Sequence, residues 1–423
     1  MRFQSLKGWL DWQIRLHPSS IELGLDRVAA VWQRLYPHHF PATVVTVAGT
    51  NGKGSCVAML DAILRAAGHR VGSYTSPHLL RYNERIRIDG EEVSDRAICQ
   101  AFERIDQARG DTSLTYFEFG TLAALDIFAR SELDIVILEV GLGGRLDAVN
   151  IISPDVALIT SIALDHTDWL GDDLEQIALE KAGILRANRP AVFAGMNPQR
   201  ALLRHAAELN TPLAVAGRDF GFTVGGAGDW SWQGAEQYIE GLPAPALAGT
   251  CQLQNAAAVL QVITLLPDKI DVSFEAISQG LQRIELAGRF QVIPGPVELI
   301  LDVAHNPAAA RVLADTLQKS PCQGRTLALF AMLSDKDVAA VVQTLAPHVD
   351  VWFLAALGGE RGLPASELQR QVDLLDTPAQ THTAPSVEKA YEMVLDSATE
   401  GDRVLVFGSF FTVADVLQRL STK

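Results

Sequence analysis

The sequence predicts an α/β protein of two domains, each a mainly parallel sheet with helices on both faces. Three observations predict it. Short β-branched apolar runs alternate with segments of helical spacing, the rhythm of a buried parallel sheet. A glycine-rich turn joins the first such strand to its helix. A cluster of Gly and Pro at 288–296 (GRFQVIPGP) then interrupts the rhythm, which starts again beyond it.

Element by element, Ala42–Ala48 (ATVVTVA) reads as a buried strand. Val57, Leu60, Ile63, Leu64 and Ala67 recur at helical spacing over 55–67, and Gly68 suits a C-cap. A strand at 70–74 follows. Phe119, Leu122, Ala123, Leu125 and Phe128 predict a helix over 117–130. The runs DIVILEV (134–140) and DVALITSI (155–162) are strands, 174–185 a helix and 191–194 a strand. The Gly- and Trp-rich stretch 220–234 predicts an antiparallel ribbon, 241–249 a loop and 252–266 a helix. Past the interruption, strands are expected at 297–303, 325–332, 351–355 and 403–407. This divides the chain into residues 1–290 and a smaller Rossmann-like α/β domain at 291–423, which has about 130 residues, a usual domain size.

Composition narrows the function. A length of 423 residues exceeds one ordinary core. The formal net charge of −15 argues against overall attraction to nucleic acid or an anionic membrane, so neither is an expected partner, while local basic pockets for small anions stay open. The four cysteines are scattered with no C-x-x-C pair, so zinc is not expected and free thiols suit a reducing cytoplasm. No apolar signal core opens the chain and no run of about 18 apolar residues occurs, which fits a cytoplasmic location.

Gly49-Thr50-Asn51-Gly52-Lys53-Gly54-Ser55 follows a strand and opens a helix, the context of a phosphate loop. Glycines let backbone N–H groups approach phosphate oxygens, and the helix N-terminus adds partial positive charge. Lys53 supplies a point charge and Ser55 a hydroxyl near Mg²⁺. The spacing departs from G-x-x-x-x-G-K-[ST], since Gly54 separates Lys from Ser. The first domain is therefore expected to be a P-loop ATPase domain that binds ATP and Mg²⁺.

Other candidates lie at strand ends, where doubly wound sheets bind ligands. Glu139 ends DIVILEV ahead of Gly141-Leu142-Gly143-Gly144, and a carboxylate there suits a hard cation. An ion pair with a nearby Arg is the plain alternative. His166, in Asp165-His166-Thr167-Asp168, could ligate a metal or lie solvated. Ser76 could offer Mg²⁺ a hydroxyl or simply belong to the turn before Pro77. Lys181 reads as a surface Lys late in a helix. In the second domain Asp302 could bind ribose hydroxyls, or cap the helix near Pro307. Arg289, within the interruption, presents a fork of donors suited to phosphates.

Taken together and in this order, GTNGKGS, TSPHL, FEFGT, EVGLGGRLDA, LDHTDWLG, EKAGI, LAGRF, DVAHNP and FGSFFTVAD resemble the Mur ligase superfamily. Within it they resemble the dihydrofolate synthase/folylpolyglutamate synthase family, over nearly the whole chain. The resemblance implies that Asn51, Gly52, Lys53, Gly54 and Ser55 cradle the ATP phosphates. It implies that Asn255, Arg289 and Asp302 touch ATP, with His305 and Asn306 in the same motif. Ser76, Glu139 and His166 match positions that hold Mg²⁺, with two ions expected. Lys181 matches a lysine that becomes carbamylated, which reverses its plain reading and groups it with Lys53, His166 and Arg289 as catalytic. The pterin-bearing substrate is implied beside Leu25, Asp26, Arg27 and Val28, beside Phe117, Glu118, Phe119 and Gly120, and beside Arg145, Leu146 and Asp147. Loops at Ser334-Asp335-Lys336 and Gly408-Ser409-Phe410 are candidates for the glutamate site.

The resemblance further implies a monomeric ligase acting on dihydropteroate, tetrahydrofolate and L-glutamate. An acyl phosphate would form from ATP, and the glutamate amine would displace phosphate. Phosphoryl transfer needs positioning and charge neutralisation rather than a nucleophilic side chain, and domain closure about 288–296 would exclude water from the acyl phosphate. The rival readings are a UDP-muramyl amino acid ligase of the same superfamily and a P-loop nucleotide switch. Ser334-Asp335-Lys336-Asp337 lacks the spacing of a guanine reader.

Overall fold

The computed structural model describes residues 2–19, 21–226, 228–374 and 379–421. Two compact units divide the chain. The first holds Met1–Ile162, Leu170–Ala246 and Leu253–Ile284, and the second holds Ala163–Trp169, Leu247–Gln252 and Glu285–Lys423.

The first unit is built on eight strands: β1 (Thr43–Ala48), β2 (Val71–Tyr74), β3 (Ile86–Ile88), β4 (Glu91–Glu92), β5 (Ile135–Glu139), β6 (Val156–Ile159), β7 (Ala191–Phe193) and β8 (Leu213–Val215), in the order β4-β3-β2-β5-β1-β6-β7-β8. The six strands from β2 to β8 run parallel, and β3 and β4 add an antiparallel edge. Every residue of β1, β5 and β6 is buried, which is why these runs are mostly apolar instead of alternating. The chain passes from β1 to β2 across β5, and from β5 to β6 across β1. The connections reverse there, so the loops after β1, β2, β5 and β6 open on one edge. Register keeps those ends level: Val47 pairs with Glu139, Ala48 with Ile159 and Tyr74 with Leu138.

The same unit carries the expected antiparallel ribbon as a three-stranded sheet of β9 (Gly221–Val224), β10 (Trp230–Gln233) and β11 (Tyr238–Leu242). Trp230 and Trp232 are each 1% exposed, and their indole N–H groups donate to Pro243 O and Ala257 O. Gly241 and Leu242, expected in a loop, close the third strand, because the ladder from Trp230 extends to Leu242.

The second unit has a six-stranded sheet: β12 (Gln291–Ile293), β13 (Glu298–Leu301), β14 (Thr326–Phe330), β15 (Val351–Ala355), β16 (Gln380–Ala384) and β17 (Arg403–Phe407), in the order β12-β13-β17-β14-β15-β16. All pairs are parallel except β12 with β13. The segment 288–296, expected as the domain boundary, thus contributes an edge strand: the chain bends at Gly-Pro 295–296 and Gln291–Ile293 pairs back onto Leu299–Leu301. Phe330, Trp352 and Phe407 pack together at the centre of this sheet.

Candidate active site

The helix Lys53–Ala66 begins at Gly52, whose φ of 88° lies in the left-handed region. A Cβ there would also stand 2.9 Å from Asn255 Oδ1, so the loop backbone and Asn255 approach as only Gly allows. Gly49 is tighter still, since a Cβ would fall 1.9 Å from Thr160 Oγ1. The end of β6 braces the loop. Thr50 N donates to Ser161 O at 2.7 Å, Asn51 N to Ser161 Oγ at 3.0 Å, and Thr160 Oγ1 to Asn51 O at 2.6 Å. Lys53 Nζ curls over the loop and donates to Gly49 O and Thr50 O at 3.0 and 3.3 Å. Gly54 is partly exposed, and Ser55 is buried in the first turn. The helix start, its backbone N–H groups and Lys53 make a ready anion cradle.

Glu139 ends β5 and is 5% exposed; it accepts from Ser76 N at 3.1 Å, which joins the ends of β2 and β5. The following loop turns on Asp147, whose carboxylate accepts from Gly141, Leu142 and Val149 N–H groups at 3.0, 2.8 and 3.0 Å. Burial pushes Asp147 up to about 6, against those N–H groups and the charge of Lys53. Asp147 therefore lies close enough to the phosphate loop to feel its lysine.

Lys181 overturns its plain reading, for it is 3% exposed. The loop after β5 covers it: Arg145 N donates to Glu180 O at 2.8 Å, and a Cβ on Gly144 would stand 3.1 Å from Lys181 O. Exposed Arg145 pairs with Glu180 at 2.7 Å, and Leu146 is half-buried. The lysine is thus held beneath the loop that follows β5.

Leu25 and Asp26 open the helix Asp26–Leu35, with Asp26 exposed. Arg27 Nη2 donates at 2.9 Å to Glu118, which is buried in a capping box with Thr115 at the start of the helix Tyr116–Ala129. Phe117 is half-buried, with its ring against Gly141. Val28 and Phe119 are fully buried; Phe119 stacks among Trp9, Trp12 and Phe102, so it shapes this region from beneath. Buried Gly120 leaves room for the Tyr82 hydroxyl, which a Cβ would meet at 2.5 Å.

The second unit gathers its own set. Asp302 accepts from Phe290 N and Ala304 N at 2.8 and 2.7 Å. Burial raises its pKa, and the charge of Arg289 opposes this. Helix capping belongs to Asn306, whose Oδ1 accepts from Ala309 N. Arg289 lies over the Phe410 ring, 5.2 Å from its centre. Asp165 is a hub that sequence reasoning passed over. It accepts from Lys336 Nζ at 2.6 Å and Asn306 Nδ2 at 3.0 Å, and His305 Nε2 stands 3.6 Å away. Burial alone would raise Asp165; the neighbouring His305 ring and the charges of His166 and Lys336 hold it far below the usual carboxylate range. His166 is exposed in the same segment, with φ 52° and its N–H on Asp165 Oδ1. Lys336 is the one loop residue of 334–336 drawn into this network, and Ser409 is buried against Thr412.

Among the described residues no three His, Cys, Asp or Glu side chains gather as a metal cage. Glu139 with the Ser76 hydroxyl supplies few, hard oxygen donors. That suits Mg²⁺, which keeps waters and binds through one or two carboxylates plus substrate phosphates. No helix of the described residues is long and apolar enough to cross a membrane.

Comparison with known proteins gives the family. Residues 47–222 match the Mur ligase middle domain, and residues 288–410 match the Mur ligase glutamate ligase domain. The dihydrofolate synthase/folylpolyglutamate synthase of Escherichia coli K12 is 43% identical over 99% of this chain and 96% of its own. Escherichia coli FolC in complex with DHPP and ADP superposes with a TM-score of 0.94 at 43% identity, covering 99% of this chain and 98% of that one. A bifunctional folylpolyglutamate synthase/dihydrofolate synthase with Mn, AMPPNP and L-glutamate bound gives 0.90 at 47% identity, with 99% and 98% covered. The chain therefore belongs to the dihydrofolate synthase/folylpolyglutamate synthase family of Mur ligases.

Proposed function

We propose that this chain is an ATP-dependent ligase that joins L-glutamate to dihydropteroate, forming dihydrofolate, and to tetrahydrofolate and its polyglutamates. One observation carries the reading. The phosphate loop, Glu139 and Ser76 follow strands that end on one sheet edge, and Lys181 is buried under the loop after β5, in a chain of this family. Residues 1–290 would serve as the ATPase domain and 291–423 as the glutamate ligase domain, in a cytoplasmic monomer.

In this reading Asn51–Ser55 cradle the phosphates, with Asn255, Arg289, Asp302 and His305 on the nucleotide. Ser76, Glu139 and His166 would hold Mg²⁺, two ions with Lys181 carbamylated as a further anion, and the metal would neutralise charge on the transferred phosphoryl group. The pterin-bearing acceptor lies by Leu25–Val28, Phe117–Gly120 and Arg145–Asp147, and its carboxylate is the group that is activated. It takes the γ-phosphoryl group of ATP to give an acyl phosphate and ADP. The amine of L-glutamate then attacks the acyl carbon, an amide bond forms and phosphate leaves. Lys53 and Arg289 neutralise charge that grows on the phosphoryl oxygens.

The test is to incubate the protein with Mg-ATP, L-glutamate and dihydropteroate, following phosphate and the mass of the product. Phosphate release that needs both cosubstrates, with dihydrofolate formed, is expected. Lys53→Ala should lower kcat about a thousandfold, about 4 kcal/mol of transition-state stabilisation, with the melting temperature kept. Near-normal turnover in that variant rejects the assignment.

A further inference from the structure

A backbone cradle for phosphate works only if its N–H groups, and not its carbonyl oxygens, face the anion. The carbonyls of Gly49, Thr50 and Asn51 are each held. Lys53 Nζ donates to Gly49 O and Thr50 O. Asn51 O accepts from Thr160 Oγ1 at 2.6 Å and from Ser161 Oγ at 3.0 Å. Thr160 Oγ1 also stands 3.3 Å from Ala48 O, but a hydroxyl has one hydrogen and the shorter bond takes it. Ser161 Oγ in turn accepts from Asn51 N at 3.0 Å. Two adjacent hydroxyls just past β6 therefore hold both main-chain groups of Asn51. They are fixed themselves: Thr160 is 3% exposed, its N–H donates to Ala48 O at 2.9 Å, and Ser161 O accepts from Thr50 N at 2.7 Å.

The peptide between Asn51 and Gly52 is the one that needs such a hold. A peptide plane turns over when ψ of one residue and φ of the next change together. A residue with a Cβ resists the change, whereas Gly takes either sign of φ at little cost. Gly52 sits at φ 88°. In a planar trans peptide the C=O and the N–H point opposite ways. With Asn51 O on Thr160 and Ser161, Gly52 N–H is directed away from those hydroxyls. Turned over, the same peptide would present an oxygen where it now presents a hydrogen, and would repel a phosphate. Thr160 reaches Asn51 only because Gly49 has no side chain, since a Cβ there would fall 1.9 Å from its hydroxyl.

We propose that Thr160 and Ser161 are positioning residues for the nucleotide: their hydroxyls lock the Asn51–Gly52 peptide with its N–H toward the phosphates. The inference rests on the function proposed above, through its nucleotide-binding part. The lock acts on ATP alone, and the two other substrates are bound without it.

The experiment compares wild type, Thr160→Val, Ser161→Ala, the double variant and Thr160→Ser. Equilibrium titration reads Mg-ATP affinity, and steady-state ligation of dihydropteroate reads kcat and each KM. The double variant should bind Mg-ATP about tenfold more weakly and lose about tenfold in kcat, the scale of one misdirected hydrogen bond to a charged group. KM for dihydropteroate and for L-glutamate should stay within about twofold of wild type. Thr160→Ser keeps the hydroxyl and should recover most of what Thr160→Val loses. If the double variant does not fold, the two single variants supply the same comparison. Mg-ATP affinity and kcat that stay at wild-type values overturn the inference. So does a loss shared equally by all three substrates, or one that follows a fall in melting temperature, since the hydroxyls then only fasten the fold. A wild type that binds Mg-ATP but forms no product overturns the ligase reading, and the affinities alone then decide the inference. A wild type that does not bind Mg-ATP overturns both.

Discussion

Asp402 shows what one buried carboxylate contributes to the second unit. It is 3% exposed and accepts from Arg325 N and Nη2, both at 2.7 Å, and from Thr399 N and Oγ1 at 3.0 and 3.1 Å. Burial would raise its pKa, but these donors win and hold it well below the usual range. A depressed folded pKa gives stability that is present above the unfolded value of about 3.9 and lost as pH falls through the folded one. Asp402→Asn should therefore destabilise the unit by about 1–3 kcal/mol at pH 7, since an amide places a donor against donors. The gap to wild type should narrow as pH drops below about 4. Urea unfolding at several pH values measures it, and a gap that is constant from pH 7 to 3 would refute the assignment. Sequence revealed residues of this kind unevenly. Glu139 and the phosphate loop were legible because a strand end next to a glycine turn is a local pattern. Asp165 was not, because Asn306 and Lys336 lie 141 and 171 residues away. Nor did spacing reveal that Lys181 is buried, since the cover comes from the loop at 144–145.

At the scale of elements, the helix Phe274–Gln282 presses on the phosphate-loop helix through Gly280. A Cβ at Gly280 would stand 2.5 Å from Ile63 Cα and 2.7 Å from Ile63 N. Those are backbone atoms that cannot swing aside. Ala is the better helix former by about 1 kcal/mol, so propensity alone predicts stabilisation by Gly280→Ala. The clash decides the sign instead: overpacking should cost about 1–3 kcal/mol and weaken Mg-ATP binding, because the helix it displaces begins at the phosphate loop. A variant as stable as wild type in urea would show that the helices separate freely. The elements missed in the sequence are those whose cause is not hydropathy. Gln380–Ala384 is polar, with only Ala384 buried, and is a strand because Val351–Ala355 pairs with it along its whole length. Gln291–Ile293 sits among Gly and Pro, and its pairing partner decides it. The central strands were plain, because burial on both faces leaves them mostly apolar.

For the whole molecule, a net charge of −15 must be reconciled with an anionic nucleotide. The phosphate loop does this locally, with backbone N–H groups, a helix N-terminus and Lys53, and the cation offsets the remaining charge. Binding to the folded chain alone then stabilises it by mass action, about 2.7 kcal/mol when the nucleotide is at 100 times its Kd. Mg-ATP should accordingly raise the melting temperature by several degrees. EDTA should remove most of the shift, because Glu139 is a carboxylate that repels bare phosphates. Lys53→Ala should reduce it as well, while melting like wild type without nucleotide. The three measurements separate the contributors. A shift that survives EDTA but not Lys53→Ala would leave the loop as the phosphate site and remove Glu139 from metal binding. A shift that survives both would place the nucleotide away from this sheet edge altogether.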